Sequence, residues 1–364
     1  AIDDEPYVSS QINPLLHCSS EIVRAANWLA SAFDVNERFI AVYKNMSALE
    51  TKIPSFIDGV EVRRLQGRYP MEIRAFRRFD KGMDRYLPWA LGKDPNAEDM
   101  PLWIIPDHKI SPLEMMACMR DHYEGTPLAM DNDLGQGLWD SPYRPTPLYY
   151  KVDGKQYFNE RPTSTQQTGF TYVAQMRSWL PREVGGILWF GNDDGNMVAY
   201  VPIYCGNTVQ PECFNTPGAD AVTFSDKNAF WVCNWVSNMV YPRYSMMFPA
   251  LQAVRDSLEN SYFAHQKEVE DKAVALYNTD KQAALDYLNL YSNQKGAEMI
   301  QRWRQLATYL IVKYNDMAVK PEKDGQFLRT KTGLGARVER PGFSEHTQRA
   351  IVKETGDKFA APTE

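Results

Sequence analysis

The sequence has few cysteines and no long apolar run, and both absences exclude whole classes of protein. Its 364 residues include 5 cysteines, an odd number spread widely along the chain, which form neither a disulfide framework nor a zinc-binding pattern. The longest uncharged apolar stretches, residues 185–190 and 197–205, are far shorter than the roughly 20 residues that a membrane helix needs. No basic and then apolar leader opens the sequence, and its first residue, Ala1, indicates processing or trimming.

The charge balance gives no reason to expect a polyanionic partner. Lys and Arg number 40 against 46 Asp and Glu, a formal net charge of −6. Residues 63–85 are locally basic, with eight basic and three acidic residues and several interleaved aromatic side chains. In an acidic chain without a nucleic-acid motif, this pattern favours a helix with a solvated basic side. We therefore predict no nucleic-acid partner.

Motifs of the common enzyme classes are also missing. The sequence has no Gly-x-Ser-x-Gly elbow, no His-Glu-x-x-His, no Walker loop and no dinucleotide fingerprint. Residues 193–196, Asp-Asp-Gly-Asn, resemble part of a calcium loop without its later Glu, and so predict a hairpin turn. His122 follows Asp121 at a predicted helix end, which favours a protonated imidazole over a metal ligand. A dyad of Cys118 and His122 is a less favoured alternative to a buried structural cysteine.

Strand patterns fill the middle of the sequence and helical patterns its end. Residues 148–158 predict a β-hairpin around the turn Asp153-Gly154. The alternating residues 168–177 and the apolar residues 187–190 predict an antiparallel sheet with a covering layer on each side. A wide apolar stripe over residues 299–314 predicts an amphipathic helix.

Capping signals predict where two helices start. Residues 111–114, Ser-Pro-Leu-Glu, combine an N-cap, a proline at the first helical position and a capping-box partner. The helix that they open is predicted to run to about Tyr123. Thr279, three residues before Gln282, is a second capping-box pattern and predicts a helix that runs to about Tyr291.

One segment is dense in hydrogen-bonding side chains. Residues 159–168 read Asn-Glu-Arg-Pro-Thr-Ser-Thr-Gln-Gln-Thr and precede a predicted strand. Arg161 lies before a proline and is therefore biased towards extended geometry, which would present its guanidinium from a strand end. Such a group suits a carboxylate or a developing oxyanion. A polar loop whose side chains only satisfy backbone groups is an equal alternative.

A series of short motifs follows one order along the chain. They are Met-Arg-Asp-His-Tyr-Glu-Gly-Thr-Pro at 119–127, Asn-Glu-Arg-Pro-Thr at 159–163, Gln-Gln-Thr at 166–168, Gln-Met-Arg at 175–177, Trp-Phe-Gly at 189–191, Tyr-Val-Pro-Ile-Tyr at 200–204, Phe-Trp-Val at 230–232, Asn-Trp-Val-Ser-Asn at 234–238 and Lys-Glu-Thr-Gly-Asp-Lys at 353–358. Together these motifs resemble the C69 (formerly U34) dipeptidases. The resemblance covers residues 82–316 and the tail motif, and the number of motifs makes it specific.

The resemblance implies an α+β fold, the four-layered αββα sandwich of the N-terminal-nucleophile hydrolases, with a large helical C-terminal region. The implied divisions are a divergent segment 1–81, a core portion 82–226, a helical region 227–316 and a C-terminal arm 317–364. In that family an N-terminal cysteine attacks the scissile carbonyl of a dipeptide, and its own α-amine takes the thiol proton. No metal or organic cofactor is implied.

One part of the family's pattern is missing from this sequence. The family opens with Cys-Thr, and none of the cysteines here is followed by threonine. The first explanation is a missing or separate N-terminal chain that carries the nucleophile. The second is a non-catalytic peptide-binding relative or assembly subunit on the same scaffold, and the third is a takeover by Cys18 or Cys118. A metal-dependent peptidase that uses Asp121, His122 and Asp193 is a further alternative.

The resemblance also suggests site residues. Arg161 is the predicted guanidinium that supports charge near the nucleophile. Asp121 and Glu124 are predicted to bind the free amine of a dipeptide, although an ion pair with a neighbouring arginine explains Asp121 equally well. Gln166 and Gln167 are predicted substrate contacts. Export signals in relatives of this subtype imply an extracytoplasmic location, periplasmic or secreted, and the oligomeric state stays open.

Overall fold

The protein is an α+β protein whose chain divides into two compact units, Ala1–Lys109 and Ile110–Glu364. The computed structural model describes residues 17–32, 39–43, 53–65, 70–91, 94, 96–98, 100–101 and 103–362. The mixture of helices with small, mostly antiparallel sheets agrees with the predicted fold class. The finer division of the chain into four parts remains a prediction.

The first unit combines a three-stranded sheet with short helices. Its elements are α1 (Ser19–Ala32), β1 (Phe39–Tyr43), β2 (Phe56–Ile57), β3 (Val60–Leu65), α2 (Pro70–Phe79) and α3 (Leu87–Ala90). The central strand, β3, is parallel to β1 and antiparallel to β2. Val23 of α1 joins Ile40 and Val60 in a buried apolar cluster. Residues 1–16 of the predicted N-terminal segment and residues 66–69 of the basic segment lie outside the described residues.

The second unit contains most of the helices and a second three-stranded sheet. Its elements are α4 (Pro112–Met119), β4 (Tyr149–Val152), β5 (Lys155–Phe158), β6 (Phe170–Met176), α5 (Arg182–Gly185), β7 (Gly186–Asn192), β8 (Val201–Tyr204), α6 (Ala229–Val240), α7 (Tyr244–Tyr277), α8 (Lys281–Tyr314), β9 (Glu322–Lys323), β10 (Gln326–Phe327) and α9 (Glu345–Thr355). Strands β6, β7 and β8 form an antiparallel sheet in that order. Within the described residues, no helix is long and apolar enough to cross a membrane.

The predicted hairpin is confirmed. Strands β4 and β5 pair antiparallel, with Tyr149 opposite Phe158 and Val152 opposite Lys155. The two turn residues, Asp153 and Gly154, have φ of 49° and 79°. A two-residue turn of this kind needs positive φ at both positions, which Asp and Gly tolerate better than most residues. The local sequence therefore determines this element by itself.

The sheet β6–β7–β8 has one buried face and one open face. On the buried face, Val173 and Trp189 enter the main core, where Trp189 stacks on Phe263 of α7 with ring centroids 4.2 Å apart. On the opposite face, Tyr172 and Met176 are 52% and 73% exposed. The exposed side chains of this second face belong mainly to β6, whereas no residue of β7 or β8 is exposed, and a complete covering layer on each side remains a prediction.

Helix α4 begins as predicted and ends earlier than predicted. The Oγ of Ser111 accepts a hydrogen bond from the backbone N–H of Glu114 at 3.3 Å, and the Glu114 side chain completes the capping box. The helix ends at Met119, not near Tyr123. Tyr123 cannot belong to this helix, because its φ of 66° is incompatible with a right-handed helix.

Helix α8 is one continuous helix of 34 residues, so the predicted end near Tyr291 is wrong. Its N-cap is Asp280, not Thr279, and the Asp280 carboxylate accepts hydrogen bonds from two backbone N–H groups of the first turn. The predicted apolar stripe over residues 299–314 forms its second half. Gly296 lies inside this helix, and a Cβ there would come within 2.9 Å of the Cys213 Sγ, so close packing favours glycine at this position.

Candidate active site

The turn between β7 and β8 is buried and lies at the centre of a polar cluster. We call residues 193–196 the acidic turn. Asp193 and Asp194 have no exposed surface, and Asn196 is 5% exposed. Asp193 also has a φ of 80°, which is uncommon for a residue with a Cβ. Buried carboxyl groups require hydrogen-bond partners, and the surrounding elements supply them.

Helix α6 provides the partners of Asp193. The Oγ of Ser237 donates a hydrogen bond to its Oδ2 at 2.8 Å, and the Nδ2 of Asn234 donates to its Oδ1 at 3.3 Å. Burial raises the pKa of Asp193 to about 7, with a further increase from the charge of Asp194, although the Ser237 hydrogen bond acts to lower it. A carboxyl group with this pKa can take up or release a proton near neutral pH.

The second carboxyl group, Asp194, joins three parts of the unit. Its Oδ1 accepts hydrogen bonds from the Ser164 hydroxyl and from the backbone N–H of Asn196, the latter at 3.1 Å. Its Oδ2 accepts a hydrogen bond from the Tyr241 hydroxyl at 3.2 Å. Burial, followed by the charge of Asp194, raises the pKa of Tyr143 and Tyr241, so both phenols stay protonated.

Two buried arginines hold the acidic turn by its backbone. The Nε of Arg120 donates a hydrogen bond to the carbonyl oxygen of Gly195 at 2.9 Å. Its two Nη atoms donate to the carboxylate of Glu259 at 3.0 and 2.5 Å. The Nη1 of Arg255 donates to the backbone oxygen of Asn196 at 2.7 Å and to its side-chain oxygen at 3.0 Å. The turn is therefore fixed by charge-assisted hydrogen bonds.

Gly195 is required by close packing, and Gly195→Ala is expected to lower the free energy of unfolding by about 1–3 kcal/mol. A Cβ at this position would lie 3.0 Å from the backbone oxygen of Met119 and 3.2 Å from the Tyr200 hydroxyl. Chemical denaturation measures the loss. The matched control is Gly169→Ala, because a Cβ there meets nothing within 4 Å. Equal losses in the two variants would contradict this explanation.

The predicted amine-binding residues lie in one short segment. Asp121 is 4% exposed, and its carboxylate accepts a hydrogen bond from the backbone N–H of Tyr123 at 2.8 Å. Glu124 is more exposed, and its carboxylate bonds the Nδ1 of His122 at 3.2 Å and accepts from the His122 backbone N–H at 2.9 Å. Partial burial raises the pKa of Glu124, but the hydrogen bonds and charge of His122 lower it to about 2.

The polar segment 159–168 lies beside this first segment. The Tyr123 hydroxyl donates a hydrogen bond to the backbone oxygen of Arg161 at 3.0 Å, and the Ser164 N–H donates to the backbone oxygen of Asp121 at 3.2 Å. Since the Ser164 hydroxyl also bonds Asp194, the two predicted segments and the acidic turn meet at this point. The sequence motifs are thus brought together in space.

The remaining predicted residues differ in their surroundings. The side chain of Arg161 is exposed, and no hydrogen-bond partner for its guanidinium is present among the described residues. The Nε2 of Gln166 donates a hydrogen bond to the backbone oxygen of Arg144, which anchors this side chain. Gln167 is exposed and accepts a hydrogen bond from the Thr165 hydroxyl. Arg161 and Gln167 are therefore the more accessible of the three.

Two alternatives from the sequence can be placed in this region. No group of three or more His, Cys, Asp or Glu side chains in the described part of the chain could hold a metal ion, so Asp121, His122 and Asp193 form no such group. Cys118 is buried, and Cys18 is exposed in the first unit. The Nδ1 of His122 is engaged by Glu124.

Fold and site together define an α+β protein in which two polar segments meet a buried pair of carboxyl groups. A comparison with protein-family models matches residues 74–257, about half of the chain, to peptidase family C69. The chain therefore belongs to peptidase family C69 and is a peptidase, a hydrolase that acts in proteolysis. The match includes the segments around Asp121 and Arg161 and the acidic turn, and it confirms the resemblance found in the sequence. No curated protein matches the chain.

Proposed function

We propose that the protein hydrolyses dipeptides through the thiolate of an N-terminal cysteine that lies on a segment outside these 364 residues. Membership of peptidase family C69 supports peptide-bond hydrolysis. The absence of any Cys-Thr pair supports placing the nucleophile on another segment. An α-amine titrates near pH 8, so it can take the thiol proton without a histidine.

The observation that carries the proposal is the open face of the sheet β6–β7–β8. Phe170, Tyr172 and Met176 are 60%, 52% and 73% exposed, and Phe190 lies directly opposite Tyr172 on β7. A contiguous apolar face of a sheet is normally covered by another layer. We place a second sheet there, about 10 Å away, which carries the nucleophile and completes an αββα sandwich.

The site residues take roles that follow from their surroundings. Arg161 supports the charge that develops near the thiolate, because its guanidinium is exposed and has no partner among the described residues. Glu124 binds the free amine of the dipeptide, since its low pKa keeps it ionised. Asp121 assists it from the same segment, and Gln166 and Gln167 border the substrate. The proposed setting for this reaction is outside the cytoplasm.

Isolation from the natural source tests this proposal. We expect intact mass measurement under denaturing conditions to reveal a second polypeptide, or a longer chain, with an N-terminal cysteine. That preparation is expected to hydrolyse dipeptides and to lose the activity after alkylation with iodoacetamide, because the thiolate is the nucleophile. The 364-residue chain alone is expected to be inactive, since it lacks the cysteine.

Variants of the complete enzyme separate the site from the fold. Arg161→Ala is expected to lower kcat about 100-fold, because one charge-stabilising donor is lost. Arg182→Ala changes an exposed arginine of α5 and is expected to leave kcat unchanged. A single species of 41.8 kDa that begins at Ala1 and has no dipeptidase activity would contradict the proposal. Peptide binding without hydrolysis would then be the better interpretation.

A further inference from the structure

A groove with a volume of about 1640 Å³ runs between α6 and α8 of the second unit. The lining residues recur every three or four positions along each helix, so each helix presents one stripe of side chains to the groove. Six carboxamide side chains line it: Asn234, Asn238, Asn293, Gln294, Gln301 and Gln305. We call this feature the amide groove. No site residue predicted from the sequence lies in it.

Three carboxamides of α8 are available to a ligand. Gln294, Gln301 and Gln305 are exposed, and no hydrogen-bond partner for their side chains is present among the described residues. Each carboxamide offers a donor and an acceptor, which are the groups that a peptide unit presents. Residues 294 and 305 are about 16 Å apart along the helix at 1.5 Å per residue, the length of about five residues of an extended chain.

Part of the lining of the amide groove is aromatic. Phe224 and Trp235 are 55% and 46% exposed, and their rings meet edge to face with centroids 6.4 Å apart. The indole N–H of Trp231 donates a hydrogen bond to the backbone oxygen of Asp220 at 2.9 Å, which fixes that ring. Rings in edge-to-face contact form an apolar corner that suits an aliphatic or aromatic side chain. A sugar would instead stack on the flat face of a free aromatic ring, which is a different arrangement from these edge-to-face rings.

The charges of the amide groove cancel. The Arg304 guanidinium pairs with the Asp226 carboxylate at 2.9 Å, and Glu212 and Lys227 supply one further charge of each sign. An occupant is therefore not selected by its net charge. The features of the lining that could select an occupant are the carboxamides of α8 and the aromatic rings.

We infer that the amide groove binds an extended polypeptide segment of about five residues, with an apolar side chain against Phe224 and Trp235. The exposed carboxamides then pair with the backbone of that segment, and the neutral lining matches an uncharged backbone. This inference goes beyond dipeptide hydrolysis, because a dipeptide is too short to span the groove. It holds whether or not the bound segment is cut.

Titration calorimetry with a capped pentapeptide tests the inference on the full 364-residue chain. The probe is acetyl-Leu-Ala-Ser-Ala-Phe-amide, which has an apolar residue at each end and no free terminus for a dipeptidase to recognise. We expect one-to-one binding that Trp235→Ala weakens about tenfold or more, because large aromatic side chains dominate binding energy. The double variant Gln301→Ala and Gln305→Ala is expected to weaken it about tenfold, as two hydrogen bonds are lost.

Two matched variants serve as controls. Trp179 is 77% exposed and Arg302 is exposed next to Gln301, and neither side chain lines the amide groove. Trp179→Ala and Arg302→Ala are expected to leave Kd within about twofold, since neither contacts the ligand. The double variant Gln301→Ala and Gln305→Ala changes only exposed side chains and is expected to fold normally. Weaker binding by this variant therefore reports on the groove and not on a loss of folding.

Three results would overturn the inference. The first is the absence of binding at millimolar peptide. The second is equal weakening by the groove variants and the controls. The third is binding of chitohexaose, a neutral oligosaccharide, without binding of the peptide. None of these results depends on dipeptidase activity. A failure of this inference can therefore be distinguished from a failure of the proposed function.

Discussion

Replacing Glu259 with alanine is expected to lower the free energy of unfolding by about 3–5 kcal/mol. Glu259 is 2% exposed, and its carboxylate accepts hydrogen bonds from Arg120 at 3.0 and 2.5 Å and from the Tyr200 N–H at 2.9 Å. Its removal leaves a buried guanidinium without a counterion and a buried N–H without an acceptor. Urea denaturation of the variant and the parent measures the difference.

The matched control is Glu345→Ala in α9. Glu345 also pairs with an arginine, Arg349, at 2.5 Å, but the two side chains are 75% and 77% exposed. Such a pair contributes less than about 1 kcal/mol, because water competes for both charges. Similar losses in the two variants would show that burial does not control the strength of the Glu259 pair.

The same ion pair also supports the candidate active site. Arg120 bonds both Glu259 and the backbone oxygen of Gly195, so a change at α7 reaches the acidic turn through one side chain. The charge of Glu259, together with its hydrogen bond, raises the pKa of Arg120 against the effect of burial, which lowers it. We therefore expect Glu259→Ala to loosen the acidic turn as well as to destabilise the unit.

Elements with local signals were predictable from the sequence. The Asp153-Gly154 turn and the Ser111 capping box each depend on residues within a few positions of one another, and both form as predicted. Boundaries were less predictable where two local signals compete. Thr279 and Asp280 are neighbours with similar capping ability, and only the backbone conformation at Asp280 decides which one caps α8.

The acidic turn was not predictable, because its burial depends on distant residues. Ser164, Arg120 and Tyr241 are 30, 75 and 47 positions away from the turn residues that they bond. A sequence of Asp-Asp-Gly-Asn is equally typical of an exposed hairpin turn. The one available signal was the apolar sequence on both sides of the acidic pair, residues 187–190 and 197–205.

The burial of β7 was predictable from its apolar sequence. The apolar residues 187–190 predicted a strand covered on both faces, and no residue of β7 is exposed, although Leu188 and Phe190 on one face are only partly buried. Phe190 on this face contacts only a few aromatic rings, among them Phe170 and Phe214. The exposed apolar side chains of this face lie on the neighbouring strand β6, which is why the proposed function places a second sheet there.

Stability is expected to fall as the pH rises through the range in which Asp193 ionises. Burial raises the pKa of Asp193 to about 7 in the folded protein, whereas an aspartate in an unfolded chain titrates near pH 4. The folded state binds this proton more tightly, so its stabilising contribution is complete below about pH 4 and is lost as the pH approaches about 7. The loss amounts to up to about 4 kcal/mol, at about 1.4 kcal/mol for each pKa unit.

Asp193→Asn is expected to remove this part of the pH dependence, because an amide cannot ionise and still accepts the hydrogen bond from Ser237. Urea denaturation between about pH 4 and pH 8 should show the variant gaining stability relative to the parent as the pH rises. Asp153→Asn changes an exposed turn residue and is expected to leave the pH dependence as it is. An unchanged slope in Asp193→Asn would contradict the assignment of this pH dependence to Asp193.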